Sequence, residues 1–180
     1  MEWDGSGDSV VAAFARWAAH ERAAEAAGTR SRERSLRDQA AGEATWSGLL
    51  VDLSETQGEV ALDVGGRRLS GRLVGVGPDF CVLEQRSRRA SLVPSDRIVA
   101  IWQESPASGS RFPHLQLSFT SALAALAAER APVCLILSGG GQLSGELVGS
   151  GTDLVTVRTD SAARRTVHVR ICHIDVCELR

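Results

Sequence analysis

An arginine pair stands at Arg88-Arg89 and again at Arg164-Arg165, an offset of 76 (164 minus 88). Arg86 lies just before the first pair and Arg158 before the second. A guanidinium donates two parallel hydrogen bonds in a fork that matches phosphate oxygens. The chemistry that Arg86, Arg88, Arg89, Arg164 and Arg165 could perform is therefore anion contact, with nucleic acid as the natural ligand. The charge of the whole chain does not reinforce it. Lys and Arg number 20 against 22 Asp and Glu, for a formal net charge of −2, and nucleic-acid binders usually present a basic excess. The sequence has no Lys, Asn or Tyr, so every basic residue is Arg. GC-rich coding produces that bias, and a polar, solvated hairpin in an Arg-rich chain is the plain reading of both pairs.

Other chemistries find less support. Asp79 and Asp153 recur at an offset of 74 (153 minus 79). As acid–base partners they would have to meet at a pocket, whereas an Asp beside Gly or Pro ordinarily caps its own turn. His20, His114, His168 and His173 share no spacing with Ser, Cys or Asp that suggests a triad. Cys172, His173 and Cys177 lie close together, but zinc needs a second close pair. Gly139-Gly140-Gly141 is followed by neither Lys-Ser/Thr nor a helical pattern, which excludes a phosphate loop. No metal, cofactor, small-molecule substrate or enzymatic activity is expected.

The elements that must hold these residues are written twice. LSGRLVGVGPD at 69–79 returns as LSGELVGSGTD at 143–153, and a fixed offset with matched Gly and apolar positions marks one unit used twice. Val60, Leu62 and Val64 alternate as in a strand, and Gly65-Gly66 supplies a hairpin turn. Strands are expected at about 60–64, 69–74, 80–84, 90–93 and 98–102. The second set falls at about 133–137, 143–148, 154–158, 165–169 and 174–178. Gly71 and Gly145 lie inside strand two of each set, where Gly marks a bend or a close backbone approach. Apolar parity shifts from Val167, Val169 and Ile171 to Ile174 and Val176. Since a one-residue slip turns a strand over, a short turn at 170–173 must absorb the shift, as 94–97 does in the first set. Trp46, Leu49, Leu50 and Leu53 predict a short helix before the first set. Ser118 or Thr120 caps a helix bearing Leu123, Leu126 and Ala127 before the second.

The remaining segments are simpler. Val10, Phe14 and Trp17 follow i, i+4, i+7 in an N-terminal helix, where aromatic anchors suit a protein interface. Residues 1–44 thus read as a helical segment, 45–102 as the first repeat, 103–116 as a Pro- and Ser-rich linker and 117–180 as the second repeat. The acidic start, MEWDGSGD, does not read as a signal peptide. No apolar run reaches the length of a membrane span, and four cysteines without a disulfide pattern suit a reducing compartment. The expected location is cytoplasmic.

Helix, five bent strands and a tight turn before the last strand resemble the Sm-like fold. The residues carrying the resemblance are Val60, Leu62, Val64, Gly66 and Arg67, then Gly71 and Leu73, then Asp79-Phe80. The second copy offers Val133, Leu135, Leu137 and Gly140, then Gly145 and Leu147, then Asp153-Leu154. Two such units after N-terminal helices are similar to a group of actinobacterial proteins. The resemblance implies a mainly β protein with N-terminal α-helices and two tandem five-stranded small barrels, each preceded by a helix. Sm proteins that bind uridine-rich RNA carry an Asn after the strand-two-to-three loop and an Arg-Gly pair before strand five. Here Cys81-Val82 and Val155-Thr156 stand at the first place, and Ser95-Asp96-Arg97 and Cys172-His173 at the second. What the resemblance implies is an architecture, with no activity attached. The function expected is a non-enzymatic binding or scaffolding protein, self-associating or bound to another protein through exposed edge strands. The alternative is an RNA- or DNA-binding regulator that uses the arginine loops.

Overall fold

The computed structural model describes residues 45–56, 58–103, 115–162 and 164–180. Trp46–Arg180 forms one unit of the chain. The segment that carries Val10, Phe14 and Trp17, and nearly all of the expected linker, lie outside the described residues.

Helix α1 (Trp46–Thr56) leads into β1 (Glu59–Val64), β2 (Arg67–Val76), β3 (Phe80–Glu84) and β4 (Ala90–Pro94). A 3-10 turn at Ser95–Arg97 then delivers β5 (Ile98–Gln103). Helix α2 (Phe119–Ala128) opens the second repeat, followed by β6 (Pro132–Leu137), β7 (Gln142–Ser150), β8 (Leu154–Thr159) and β9 (Thr166–Arg170). A 3-10 turn at Ile171–His173 precedes β10 (Ile174–Leu179). The two 3-10 turns fall where the change of apolar parity requires a reset.

Local chemistry accounts for the elements. Gly65 and Gly66 have φ of 57° and 75°, the left-handed pair that a two-residue hairpin needs and that Gly adopts without strain. Both long strands, β2 and β7, lose register at the same place, between Leu73 and Gly75 and between Leu147 and Gly149. An extra residue in one strand bends it and sharpens its twist. Ser118 caps α2 by accepting a hydrogen bond from the Ser121 amide. In α1 the buried side is Leu50, Leu53 and Ser54, while Trp46 and Leu49 remain exposed. The apolar line expected there is thus split, and only its later half reaches the core.

Among the described residues, ten strands form one antiparallel sheet in the order β5-β1-β2-β3-β4-β10-β6-β7-β8-β9. The second five repeat the order of the first: strand five, one, two, three, four. Two separate closed barrels, as the sequence suggested, are not formed, and that expectation is corrected. Closure would need strand four to pair with strand five of its own repeat. The three-residue turn is too tight to lay them side by side, so β5 crosses to the outer side of β1 and β10 to the outer side of β6. The edge of β4 is instead taken by β10, with Leu92 opposite Cys177 and Ser91 opposite Glu178. The sheet is open.

Each repeat keeps a core that borrows from the other. Leu50, Val60, Leu62, Leu73, Leu83 and Val93 pack together with Ile136 and Val176 of the second repeat. Leu123, Leu135, Leu147, Val155 and Val157 pack with Phe80 and Leu92 of the first. Phe80 and Phe119 meet across the seam with ring centroids 6.0 Å apart, tilted by 50°, a favoured aromatic geometry.

Gly71 and Gly145 hold the closest backbone approaches. A Cβ on Gly71 would run into the Glu84 carbonyl, and one on Gly145 into the Arg158 carbonyl. Backbone cannot move aside as a side-chain tip can. Gly145→Ala is expected to destabilise the chain by about 2 kcal/mol, the cost typical of an overpacked core. Thermal denaturation should show a lower melting temperature; an unchanged midpoint would mean that β7 and β8 are not pressed together there.

Candidate functional site

The arginine loops are hairpin tips. In the first, the Gln85 amide donates to the Arg89 carbonyl at 2.9 Å and the Arg88 amide to the Gln85 carbonyl at 2.8 Å. In the second, the Thr159 amide donates to the Arg165 carbonyl at 2.9 Å and the Arg164 amide to the Ser161 carbonyl at 2.8 Å. Arg88 has φ of 61° and Arg164 of 39°. A left-handed conformation costs a residue with a Cβ about 1–2 kcal/mol, so both tips are held by their surrounding bonds. Arg86, Arg88, Arg89, Arg164 and Arg165 are all exposed.

Their surroundings are not alike. A groove of about 400 Å³ beside the first loop is lined by Glu59, Arg72, Glu84, Arg86 and Arg88. Arg86 forms a bidentate pair with Glu59, the shorter contact 2.6 Å, and Arg72 pairs with Glu84 at 2.6 Å. The Arg86 hydrogen bonds and charge hold the Glu59 carboxyl below its ordinary value. Beside the second loop, Glu146 faces Arg158 at 3.8 Å and Asp160 pairs with Arg180 at 3.0 Å. Arg72 opposite Glu84 in one repeat thus becomes Glu146 opposite Arg158 in the other. The cross-strand ion pair persists with its signs exchanged, so the two loops do not present one repeated cationic surface.

The recurrent acids also part company. The Asp79 carboxylate accepts a hydrogen bond from the Phe119 amide at 2.7 Å. It therefore caps the first turn of α2, in the other repeat, instead of its own turn. The backbone carbonyls keep the duplicated role: Asp79 accepts from the Ser95 amide at 2.9 Å and Asp153 from the Ile171 amide at 2.8 Å. At this seam, a cavity of about 310 Å³ is lined by Asp79, Asp96, Arg97, Thr120 and Cys172 among others. Arg97 donates to the Cys172 carbonyl across it. The seam was invisible in the sequence because its partners lie 40 and 75 positions apart in the chain.

His168 is exposed on β9, with Nδ1 3.1 Å from the Thr156 hydroxyl. Among the described residues no three His, Cys, Asp or Glu side chains converge as a metal site, and no described helix is long and apolar enough to cross a membrane. No protein-family model matches the chain, and no curated protein matches it.

The edges of the sheet are the more unusual surfaces. β5 carries Val99 at 75% exposure and Trp102 at 40%. The Arg68 guanidinium sits 4.0 Å over the Trp102 ring, a cation–π contact that holds the indole at the edge.

All four cysteines are free thiols. Burial pushes Cys81 up to about 12, and burial, with Cys134 and Glu178 nearby, pushes Cys177 up to about 12. Reactivity follows the thiolate and its access. In the native chain a maleimide at neutral pH should label Cys172 alone, and the buried three only after unfolding. Because the raised thiols ionise more easily once unfolded, stability should be intact below about pH 9 and fall as pH rises towards 12. Rapid native labelling of Cys81 or Cys177 would contradict the packing.

Proposed function

We propose that the chain is a non-enzymatic binding and scaffolding protein built from two Sm-like repeats, and that it docks its partner along a sheet edge that no other described strand covers. The observation that carries the docking is β5: an edge strand with exposed Val99 and Trp102, whose counterpart β10 is already paired with β4. An unpaired edge with apolar side chains is a template for an added strand. The Sm-like reading is supported by the strand order five-one-two-three-four, present twice, and by a helix before each set. Helix α1 packs on β2 and α2 on β7, the same placement in each repeat. Four unpaired thiols support a reducing, cytoplasmic setting.

A second reading, an RNA- or DNA-binding regulator, is supported by the repeated display of Arg88 and Arg164 at hairpin tips. Glu59 and Glu84 beside the first loop and Glu146 and Asp160 beside the second reduce the field that phosphate would feel.

One capture experiment separates the readings. The immobilised full chain should retain protein at high salt, Trp102→Glu should lose it, and no nucleic acid should be retained. Nucleic acid that is held at low salt, released by added salt and lost when Arg88, Arg89, Arg164 and Arg165 become Ala would favour the second reading. Capture unaffected by Trp102→Glu would overturn the edge as the docking surface.

A further inference from the structure

Residues 115–119 cross the first repeat as a strap before α2 begins. The Leu115 amide donates to the Val76 carbonyl at 2.9 Å. A Cβ on Gly75 would lie 3.1 Å from the Leu115 side chain, and one on Gly77 would lie 2.9 Å from the Leu117 carbonyl oxygen. Phe119 sets its ring against Phe80, which is 1% exposed, and its amide donates to Asp79. The turn between β2 and β3 is thus a cradle. Glycines give it a floor that admits close approach, Phe80 gives it an apolar wall, and the Asp79 carboxylate caps the helix that follows.

The turn between β7 and β8 repeats this cradle. At an offset of 74 (149 minus 75), Gly149, Gly151, Asp153 and Leu154 take the places of Gly75, Gly77, Asp79 and Phe80. No described segment crosses it as residues 115–119 cross the first. A Cβ on Gly149 would meet nothing but Thr156 within 4 Å, and the nearest atoms to one on Gly151 belong to Leu154. Leu154 is 39% exposed. Asp153 is exposed, and no described residue donates to its carboxylate. Floor, wall and capping acid all recur, and all three face outward.

We infer that the second cradle docks a segment of another protein: Leu-x-Leu, then Ser or Thr, then an aromatic residue that opens a helix. The template is the occupant of the first cradle, where Leu115, Leu117, Ser118 and Phe119 stand in that order. Gly149 and Gly151 leave room for the two leucines, and Leu154 offers the aromatic ring an apolar contact. The Asp153 carboxylate accepts from a first-turn amide, which a helix leaves unpaired. A second copy of this chain fits less well. Counting by the 73 that matches Leu50 to Leu123 (123 minus 50) puts Trp46 in the place of Phe119, but Gly42 and Ala44 in the places of Leu115 and Leu117. A second copy would bring the ring and neither leucine. This surface is a turn between β7 and β8, away from β5, so it does not rest on the edge-docking reading.

The probe is a fluorescent synthetic peptide with the sequence of residues 114–130, HLQLSFTSALAALAAER, titrated with the full chain and followed by anisotropy. One peptide should bind per chain, because the first cradle keeps its own strap. Leu154→Glu should abolish binding with circular dichroism and melting temperature unchanged. Asp153→Ala should weaken it about fivefold, the size of a lost helix cap. A peptide with Leu115→Gly and Leu117→Ala should bind roughly tenfold less tightly, since two leucines lose their burial. Failure to bind saturably, or binding that Leu154→Glu and Asp153→Ala leave intact, overturns the cradle. Equal binding of the Gly and Ala peptide, or a multimeric chain that the peptide dissociates, puts a second copy in the cradle and overturns the other protein as occupant.

Discussion

Both repeats depend on β4 accepting β10. Without that seam the molecule would have two five-stranded sheets, each with an open strand-four edge and a core exposed along it. With it, Ile136 and Val176 complete the first core while Phe80 and Leu92 complete the second. The exchange buries apolar surface that neither repeat could bury alone, and burial of such surface is the main favourable term in folding. Asp79 on the Phe119 amide, Arg97 on the Cys172 carbonyl and the Phe80–Phe119 contact then fix how the halves are set. The repeats are consequently unequal: one offers a strand-five edge to the outside, the other a strand-four edge.

The two halves of the sheet also differ in their charges. Positions that shape the backbone match, because Gly71 and Gly145 press against neighbouring carbonyls and tolerate no side chain. Solvent-facing positions share a relationship and differ in identity. Arg72 with Glu84 and Glu146 with Arg158 are the same cross-strand pair with signs exchanged. Exposed pairs of this kind contribute little stability, so the exchange costs the fold almost nothing while giving the two faces different local fields.

Most of the strands could be read from the sequence because their signals are local. Alternation in Val60–Val64, the Gly65-Gly66 turn and the parity shift near Ile171 all act within a few residues. The sequence also marked Gly71 and Gly145 as bends or close approaches, and the structure shows close approaches. What it could not show is which edge meets which. Pairing across the seam joins Leu92 to Cys177, and period-two patterning fixes a strand's faces while leaving its neighbours undetermined. The same limit explains the helix before β1, where Trp46 and Leu49 fit the apolar line yet stay exposed. It also explains Asp79, whose turn chemistry was local in the sequence and whose partner is an amide 40 residues away. The arginine loops were located correctly as hairpins, but Glu59, which pairs with Arg86, comes from another strand.

The central claim is that β4 and β10 are interior strands of one sheet. Residue-resolved amide hydrogen exchange on the full chain tests it most directly. The account predicts that the amides of β4 and β10 are protected to the level of β2 and β7, and that they open together. Exchange in β4 and β10 as fast as in a free edge strand, with β2 and β7 still protected, would contradict it.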